Sequence, residues 1–467
     1  MDKFLFVLGS NFQLSIAELD HVLRHSRFKG RIVDYSATIG VVEFEKLHEN
    51  EFYVDDLMEL QFMMGGCQKI AKVYDFIPIN MVKDAFPLVM DKYKIVEKNR
   101  TKIQKILENC IEEIFPTIKN RNIFYAVSIY PEFYDDEYYS RILVKHFLPF
   151  LNKKIMEILK EKGASKALYY KYPEEYIEKG TLNPIFPHIL IKYRLFEEDR
   201  AEIIFGFTEE GIYIARTFTC DNPNFKKKID EERPHKDFKS SISPKLAIIM
   251  LNFLNLFHER ETKKILDPFM GNGTIPMFSI LEDFQVYGTD KNLEKVNNTK
   301  RNIQWLMTEL EEELPINLDK KFLQLDVKDL SKHFPSNFFD GICTEPELGP
   351  FFTTEPFREE IKELIENDLN QKYEYLFKEA QKILKNNHRL VITSPIFATI
   401  EGKHLQINVE NIARKYNFTL IPMIDTNRIV NKSDKRLQFQ GAKFRTIIDA
   451  KKEQIVMRKI YVFEKRG

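Results

Sequence analysis

Carboxylates recur at the ends of short apolar runs in the second half of the chain: Asp267, Asp290, Asp326 and Glu345. Side chains at consecutive strand tips can surround a nucleoside. An acid closing a second strand is placed to accept both ribose hydroxyls. The carboxylate of Asp326 could accept from an adenine amino group while the backbone N–H of Val327 donates to the ring. Glu345 and the carbonyl of Pro346 could hold the N–H bonds of an exocyclic base amine. Such an amine is a poor nucleophile because its lone pair is delocalised, so it reacts only when acceptors orient it and a surface stacks the base. Taken singly, each aspartate reads equally well as a helix cap; their repetition at successive strand ends is what favours a ligand.

The elements that must position these groups begin at residue 264. A short apolar run, 264–267, ends in Asp267, and a turn with Gly271 and Gly273 opens a helix at Thr274. Glycine allows unusual φ/ψ and close backbone approach, and the first helical turn presents unpaired N–H groups. The loop lacks the Gly-Lys-Ser/Thr ending of a phosphate loop and the three-glycine spacing of a dinucleotide fold. The pattern Asp267-Pro268-Phe269-x-Gly271-Asn272-Gly273-Thr274 resembles motif I of methyltransferases that use S-adenosyl-L-methionine. That resemblance implies a cofactor site made of Asp267, Pro268, Phe269, Gly271, Asn272, Gly273, Thr274, Asp290, Lys291, Asp326 and Val327. It implies no metal, because a sulfonium is already an activated leaving group.

Composition narrows the remaining classes. At 467 residues, two or three domains are expected, and 30% charged with 13% aromatic residues predicts a folded chain. Lys+Arg and Asp+Glu are both 70, so any basic surface must be local. Cys67, Cys110, Cys220 and Cys343 are far apart, without metal-ligand spacing, and read as buried thiols in a reducing compartment. The apolar runs are too short to span a bilayer and the N-terminus lacks the shape of a signal peptide. A cytoplasmic protein is expected.

In the first half, the order of periodicities predicts βαββαβ, a ferredoxin-like unit, with Ser15 and Glu18 as a capping box. A helix with Ile103, Leu107 and Ile111, a strand at 123–129, a long helix at 140–162 and a strand near 167–170 follow. Lys153, Lys154, Lys160, Lys162, Lys166 and Lys171, interleaved with Tyr169, Tyr170 and Tyr172, read as a phosphate-tracking surface or as a solvated helix face. His21, His25, His48, His146 and His188 have no companions at ligand spacing. Between 217 and 241 the chain is polar, and Pro223 and Pro234 predict an irregular tether, which could also close over a cofactor. Ser243-Pro244 reads as N-cap and N1 of the next helix.

Further features extend the resemblance: Leu8-Gly9 with Ser15-Ile16-x-Glu18-Leu19, Arg233-Pro234 leading to Pro244-Lys245-Leu246-Ala247, and Gly288-Thr289-Asp290. Together they resemble the THUMP-containing family that forms N2-methylguanosine at position 10 of tRNA, the archaeal enzyme and the eukaryotic catalytic subunit. The resemblance implies a ferredoxin-like lead over 1–78, a THUMP RNA-binding domain over 79–218 and a linker over 219–242. A Rossmann-like methyltransferase domain with a seven-stranded doubly wound sheet would fill 243–467. It implies tRNA as partner, gripped through shape and phosphate contacts, and leaves room for a small activating protein subunit. By the same resemblance the catalytic loop is Glu345, Pro346, Glu347 and Leu348.

That loop departs from the family's Asp-Pro-Pro-Tyr. Glu345 reaches one methylene further, and Leu348 removes a stacking ring that Phe351 or Phe352 would have to replace. Glu347 adds a negative charge, which would repel phosphate and favour a sulfonium. Two alternatives stand beside the methyltransferase: a tRNA-binding protein whose altered loop no longer catalyses, and a DNA amino-methyltransferase. The ferredoxin-like order argues against the latter.

Overall fold

The computed structural model describes residues 2–45, 54–89, 93–181, 184–236, 242–312, 317–439, 445–450 and 454–467; His48 and the linker stretch 237–241 lie outside them. Eight strands build the first sheet: β1 (Lys3–Leu8), β2 (Gly30–Tyr35), β3 (Ile39–Phe44), β4 (Cys67–Pro78), β5 (Asn122–Tyr130), β6 (Lys166–Tyr169), β7 (Arg200–Phe207) and β8 (Gly211–Cys220). Their order is β2-β3-β1-β4-β8-β7-β5-β6. With helices Phe12–His25 and Val54–Met63 in between, the first four strands have the expected βαββαβ order. Strand alternation explains why β1 is apolar throughout: Phe4, Phe6 and Leu8 enter one core while Leu5 and Val7 enter another on the opposite face. β4 is long enough to pair with β1 and, from Lys69 to Pro78, with β8, so a single sheet runs through the whole first half.

The second sheet contains β9 (Lys264–Asp267), β10 (Gln285–Asp290), β11 (Phe322–Gln324), β12 (Phe339–Thr344), β13 (Leu384–Ala398), β14 (His404–Gln406), β15 (Phe418–Leu420), β16 (Ile447–Asp449) and β17 (Val456–Lys465). Seven of them follow one path, β11-β10-β9-β12-β13-β17-β15, with β14 attached to β13 and β16 to β17. The strands β11, β10, β9, β12 and β13 are mutually parallel, and β17 enters antiparallel to β13. This is the doubly wound α/β arrangement, and the strand order reverses between β9 and β12. Ligands in such sheets sit at the carboxyl ends of the strands flanking that reversal.

Three local expectations are corrected. The helix after β1 starts at Phe12, with Asn11 as its cap accepting from Leu14 N–H, so Ser15 and Glu18 form no capping box. Glu18 is instead buried, accepting from the N–H groups of Gly65 (2.9 Å) and Gly66 (2.7 Å) and from Asn252 Nδ2 (2.8 Å). Burial pushes its carboxyl up to about 7 against those bonds. The helix expected at 140–162 opens with a π-helical segment, Tyr139–Phe147, that runs into the α-helix Leu148–Glu161. The linker contains a helix, Pro223–Glu231, because proline is tolerated in a first turn, where its missing N–H has no intrahelical acceptor. Lys226 is buried and paired with Asp221 at 2.8 Å.

The halves are fastened by more than the linker. Gly65 lies so close to helix Pro244–Asn252 that a Cβ there would fall 2.3 Å from the Lys245 carbonyl oxygen. From the C-terminal half, Lys432 is buried against Asp34, which also accepts from Thr208 Oγ1 and Tyr213 Oη, and Tyr35 Oη donates to the Leu437 carbonyl. Removing one partner of a buried pair leaves an uncompensated charge. Lys432→Met is therefore expected to cost about 3 kcal/mol in urea unfolding, and Asp34→Asn in the same chain should recover part of that. A Lys432→Met protein within about 0.5 kcal/mol of wild type would show that the pair does not hold the halves together.

Candidate active site

The loop after β9 takes its shape from two glycines in the left-handed region, Gly271 at φ 51° and Gly273 at φ 85°. At Gly273 an added Cβ would meet Thr299 Cγ2 at 2.7 Å; at Gly271 it would meet nothing within 4 Å, because that face opens into a cleft. The loop is fastened by its neighbours. Met270 N–H donates to the Thr289 carbonyl (3.1 Å), Thr299 Oγ1 to the Gly271 carbonyl (2.8 Å) and Asn302 Nδ2 to the Asn272 carbonyl (2.8 Å). Helix Thr274–Leu281 follows, and buried Thr274 accepts from the Arg233 guanidinium at 2.7 Å. The linker thus reaches the glycine loop on its protein side.

Asp267 is buried at the tip of β9 and accepts from Phe269 N–H (3.2 Å) and Thr344 Oγ1 (2.6 Å). Burial outweighs both bonds, and with Asp290 and Glu345 nearby it pushes this carboxyl up to about 7. Asp290, at the tip of β10, accepts from Gly271 N–H (3.1 Å) and Asn292 N–H (2.9 Å), so it shapes the glycine loop as well as facing the cleft. Beyond β11, Asp326 accepts from Lys328 N–H at 3.1 Å and caps a single 3-10 turn, Val327–Asp329. Capping does not withdraw the residue from the cleft, which Asp326 and Val327 also line.

At the tip of β12, Glu345 is not loose. Arg458 Nε and Nη2 chelate its two oxygens at 2.7 and 3.0 Å, and Thr393 Oγ1 donates to Oε2 at 3.1 Å. The extra charge of Glu347 is present and compensated: its carboxylate is shared by Lys372 (2.7 Å) and Lys291 (3.4 Å). Burial works against ionisation there, but the two ammonium groups outweigh it and hold Glu347 below the usual carboxylate range. Leu348 lines the cleft without a ring. Phe352 is committed edge-on to Phe397 at 6.2 Å, and Phe351, 62% exposed, stands on the cleft wall.

One cleft of about 1060 Å³ takes in Asp267, Pro268, Phe269, Gly271, Asn272, Thr274, Asp290, Lys291, Asp326, Val327, Glu345, Pro346, Glu347 and Leu348. Gly273 stands behind it, against Thr299. Arg458 and Lys372 also line this cleft and were not anticipated. In β17 Arg458 stands beside Lys459, ahead of the apolar run 460–463, so the sequence does not single it out. Away from the cleft, Lys153, Lys160, Lys166 and Lys171 are exposed, while Lys154 and Lys162 are paired with Glu157 and Glu112. Tyr172 is turned inward, donating to the Val127 carbonyl at 3.0 Å, so it is not part of an aromatic platform. Among the described residues no cluster of His, Cys, Asp or Glu could hold a metal, and no helix is long and apolar enough to cross a membrane.

No protein-family model matches the chain. It is 33% identical over 128 residues to the tRNA (guanine(10)-N2)-dimethyltransferase of Methanothermobacter thermautotrophicus, covering 27% of this chain and 33% of that protein. It is 28% identical over 121 residues to the protein of the same name from Pyrococcus abyssi, covering 26% and 32%. The chain thus spans about a third of the length of the curated relatives it matches. Among solved structures, TrmN from Thermus thermophilus aligns over 99% of both chains at 14% identity with a TM-score of 0.49.

Proposed function

We propose that this chain is an S-adenosyl-L-methionine-dependent tRNA methyltransferase acting on the exocyclic N2 amine of a guanosine, of the position 10 type. The observation that carries the reading is the convergence of Asp267, Asp290, Asp326 and Glu345 on one cleft at the strand-order reversal. The residues present fit the cofactor. Gly271 offers an open backbone face, Asp290 an acceptor for ribose hydroxyls, Asp326 and Val327 a polar pair for adenine, and buried Asp267 a carboxyl for a cationic group. Cavities of about 300–1,000 Å³ hold a drug-sized ligand, so this cleft has room for a nucleoside cofactor and an entering base.

Bound there, S-adenosyl-L-methionine would supply a methyl group already activated as a sulfonium. The chain's part is positioning. Glu345 and the Pro346 carbonyl accept the amine's N–H bonds and aim its lone pair, and Phe351 offers a face for the base. Divided as 1–78, 79–218, 219–242 and 243–467, the chain would use its N-terminal units, with the exposed lysines around 153–171, to hold tRNA in the cytoplasm. The fixed contacts between the halves would set the reach from that grip to the cleft.

The test is transfer of label from S-adenosyl-L-methionine to unmodified tRNA transcripts, with the product nucleoside identified by mass spectrometry. Asp290→Ala should raise the cofactor Kd by about tenfold or more, as expected when a ligand acceptor and a loop brace are lost together, while turnover at saturating cofactor falls less. Cofactor binding without transfer to any tRNA would favour a binding protein that has lost its chemistry, the reading that Leu348 supports.

A further inference from the structure

We propose that Arg458 is a positioning residue for the transfer step, holding Glu345 so that one acceptor site on Oε1 points at the substrate amine. The inference rests on the function proposed above and deepens it. Glu345 is one methylene longer than an aspartate at this place would be, so its carboxylate has an additional torsion to fix. Three adjacent strands fix it. Glu345 follows β12, Thr393 lies on β13, and Arg458 lies on β17, where it is paired in register with Pro395. The side chains of the ion pair are 12% and 15% exposed, enough to be held and still reach the cleft.

The donor count identifies the working atom. A carboxylate offers about four lone-pair sites. Among the described residues, Oε2 is filled by Arg458 Nε and Thr393 Oγ1, whereas Oε1 receives one donor, Arg458 Nη2. The remaining site is on Oε1. The planar guanidinium is suited to this task because its two-point grip fixes both the plane and the rotation of the carboxylate, which a lysine cannot do. The same grip would be inhibitory if the amine needed both carboxylate oxygens, and the experiment separates these outcomes.

Arg458→Met and Arg458→Lys are compared with wild type for cofactor Kd by equilibrium dialysis, KM for tRNA, and kcat. Arg458→Met is expected to bind cofactor normally and to lose about a hundredfold in kcat, the scale of a small misplacement of a reacting group. Arg458→Lys should lie between. Guanidinium ion below denaturing concentration should restore part of the Arg458→Met rate where ammonium does not, a response that a merely structural role would lack. Circular dichroism and a cooperative urea transition report that each variant is folded; if Arg458→Met does not fold, Arg458→Lys carries the kcat test. Wild-type transfer with an equally fast or faster Arg458→Met enzyme would overturn the inference and leave the function standing. Parallel loss of cofactor binding and kcat in a folded Arg458→Lys protein would also overturn it. A wild-type protein that binds cofactor and methylates no tRNA would overturn both.

Discussion

Replacing Glu345 with alanine is expected, on the proposed function, to leave cofactor affinity close to wild type and to lower methyl transfer by about a hundredfold to a thousandfold, the range for losing a preorganised polar group at a reacting centre. The groups assigned to the cofactor are on β9, β10 and β11 or just beyond them, and none is bonded to Glu345. Its bonds go to Thr393 and Arg458, on the other side of the reversal. The substitution also strands a largely buried guanidinium, with a stability cost of about 3 kcal/mol. Rate must therefore be read alongside binding. Equilibrium dialysis with labelled cofactor, followed by single-turnover transfer on the same preparation, separates the two. Glu345→Gln tests shape against charge: its amide keeps the volume but sets an N–H against the Arg458 fork, so it should remain far below wild type. An active Glu345→Ala enzyme would remove this residue from the mechanism and leave the cofactor slot untouched.

Features that depend on a residue's own backbone freedom were legible in the chain. Gly271 and Gly273 mark a positive-φ turn because other residues are disfavoured there, and the acids that end β9 and β10 and lie just beyond β11 and β12 can be placed by counting apolar runs. Features that depend on a distant partner were not. The Ser-x-x-Glu spacing at Ser15 and Glu18 matches a local cap, yet Glu18 bonds to Gly65, Gly66 and Asn252, the last 234 residues away. Arg458 meets Glu345 across 113 residues, and nothing within its own strand shows which acid it will clamp. Pro223 departs from expectation for a different reason. A proline halts a helix from within and is welcome at its start, so position decided the outcome and the residue type did not. The compensation of Glu347 likewise depends on distant partners, Lys291 just after β10 and Lys372 in helix Asn370–Ile383.

Asp267→Asn is expected to make the protein more stable above neutral pH and to leave its stability almost unchanged near pH 4. Burial is the chief cause of the raised Asp267 carboxyl, which titrates at about 7 in the fold against 3.8 as its ordinary value. The folded chain therefore keeps a proton that the unfolded chain has released, and stability falls as pH rises through this window. The loss is complete above about 7 and amounts to roughly 4 kcal/mol at most. An asparagine Oδ1 can still accept from Thr344 and Phe269 N–H, so the substitution removes the buried charge and spares the bonds. Urea unfolding of both proteins at pH 5 and pH 8 would measure the difference. A gap between them that stays constant with pH would show that Asp267 is ionised across the range. Ligand binding should respond in the opposite sense. On the proposed function, a cationic group of the cofactor meets the ionised carboxyl, so below about 7 binding must first displace a proton. Wild-type affinity should then rise with pH towards neutrality, while the affinity of Asp267→Asn stays weaker and flat. A charge retained in a buried place at a cost to the fold is the expected mark of a group that a ligand completes.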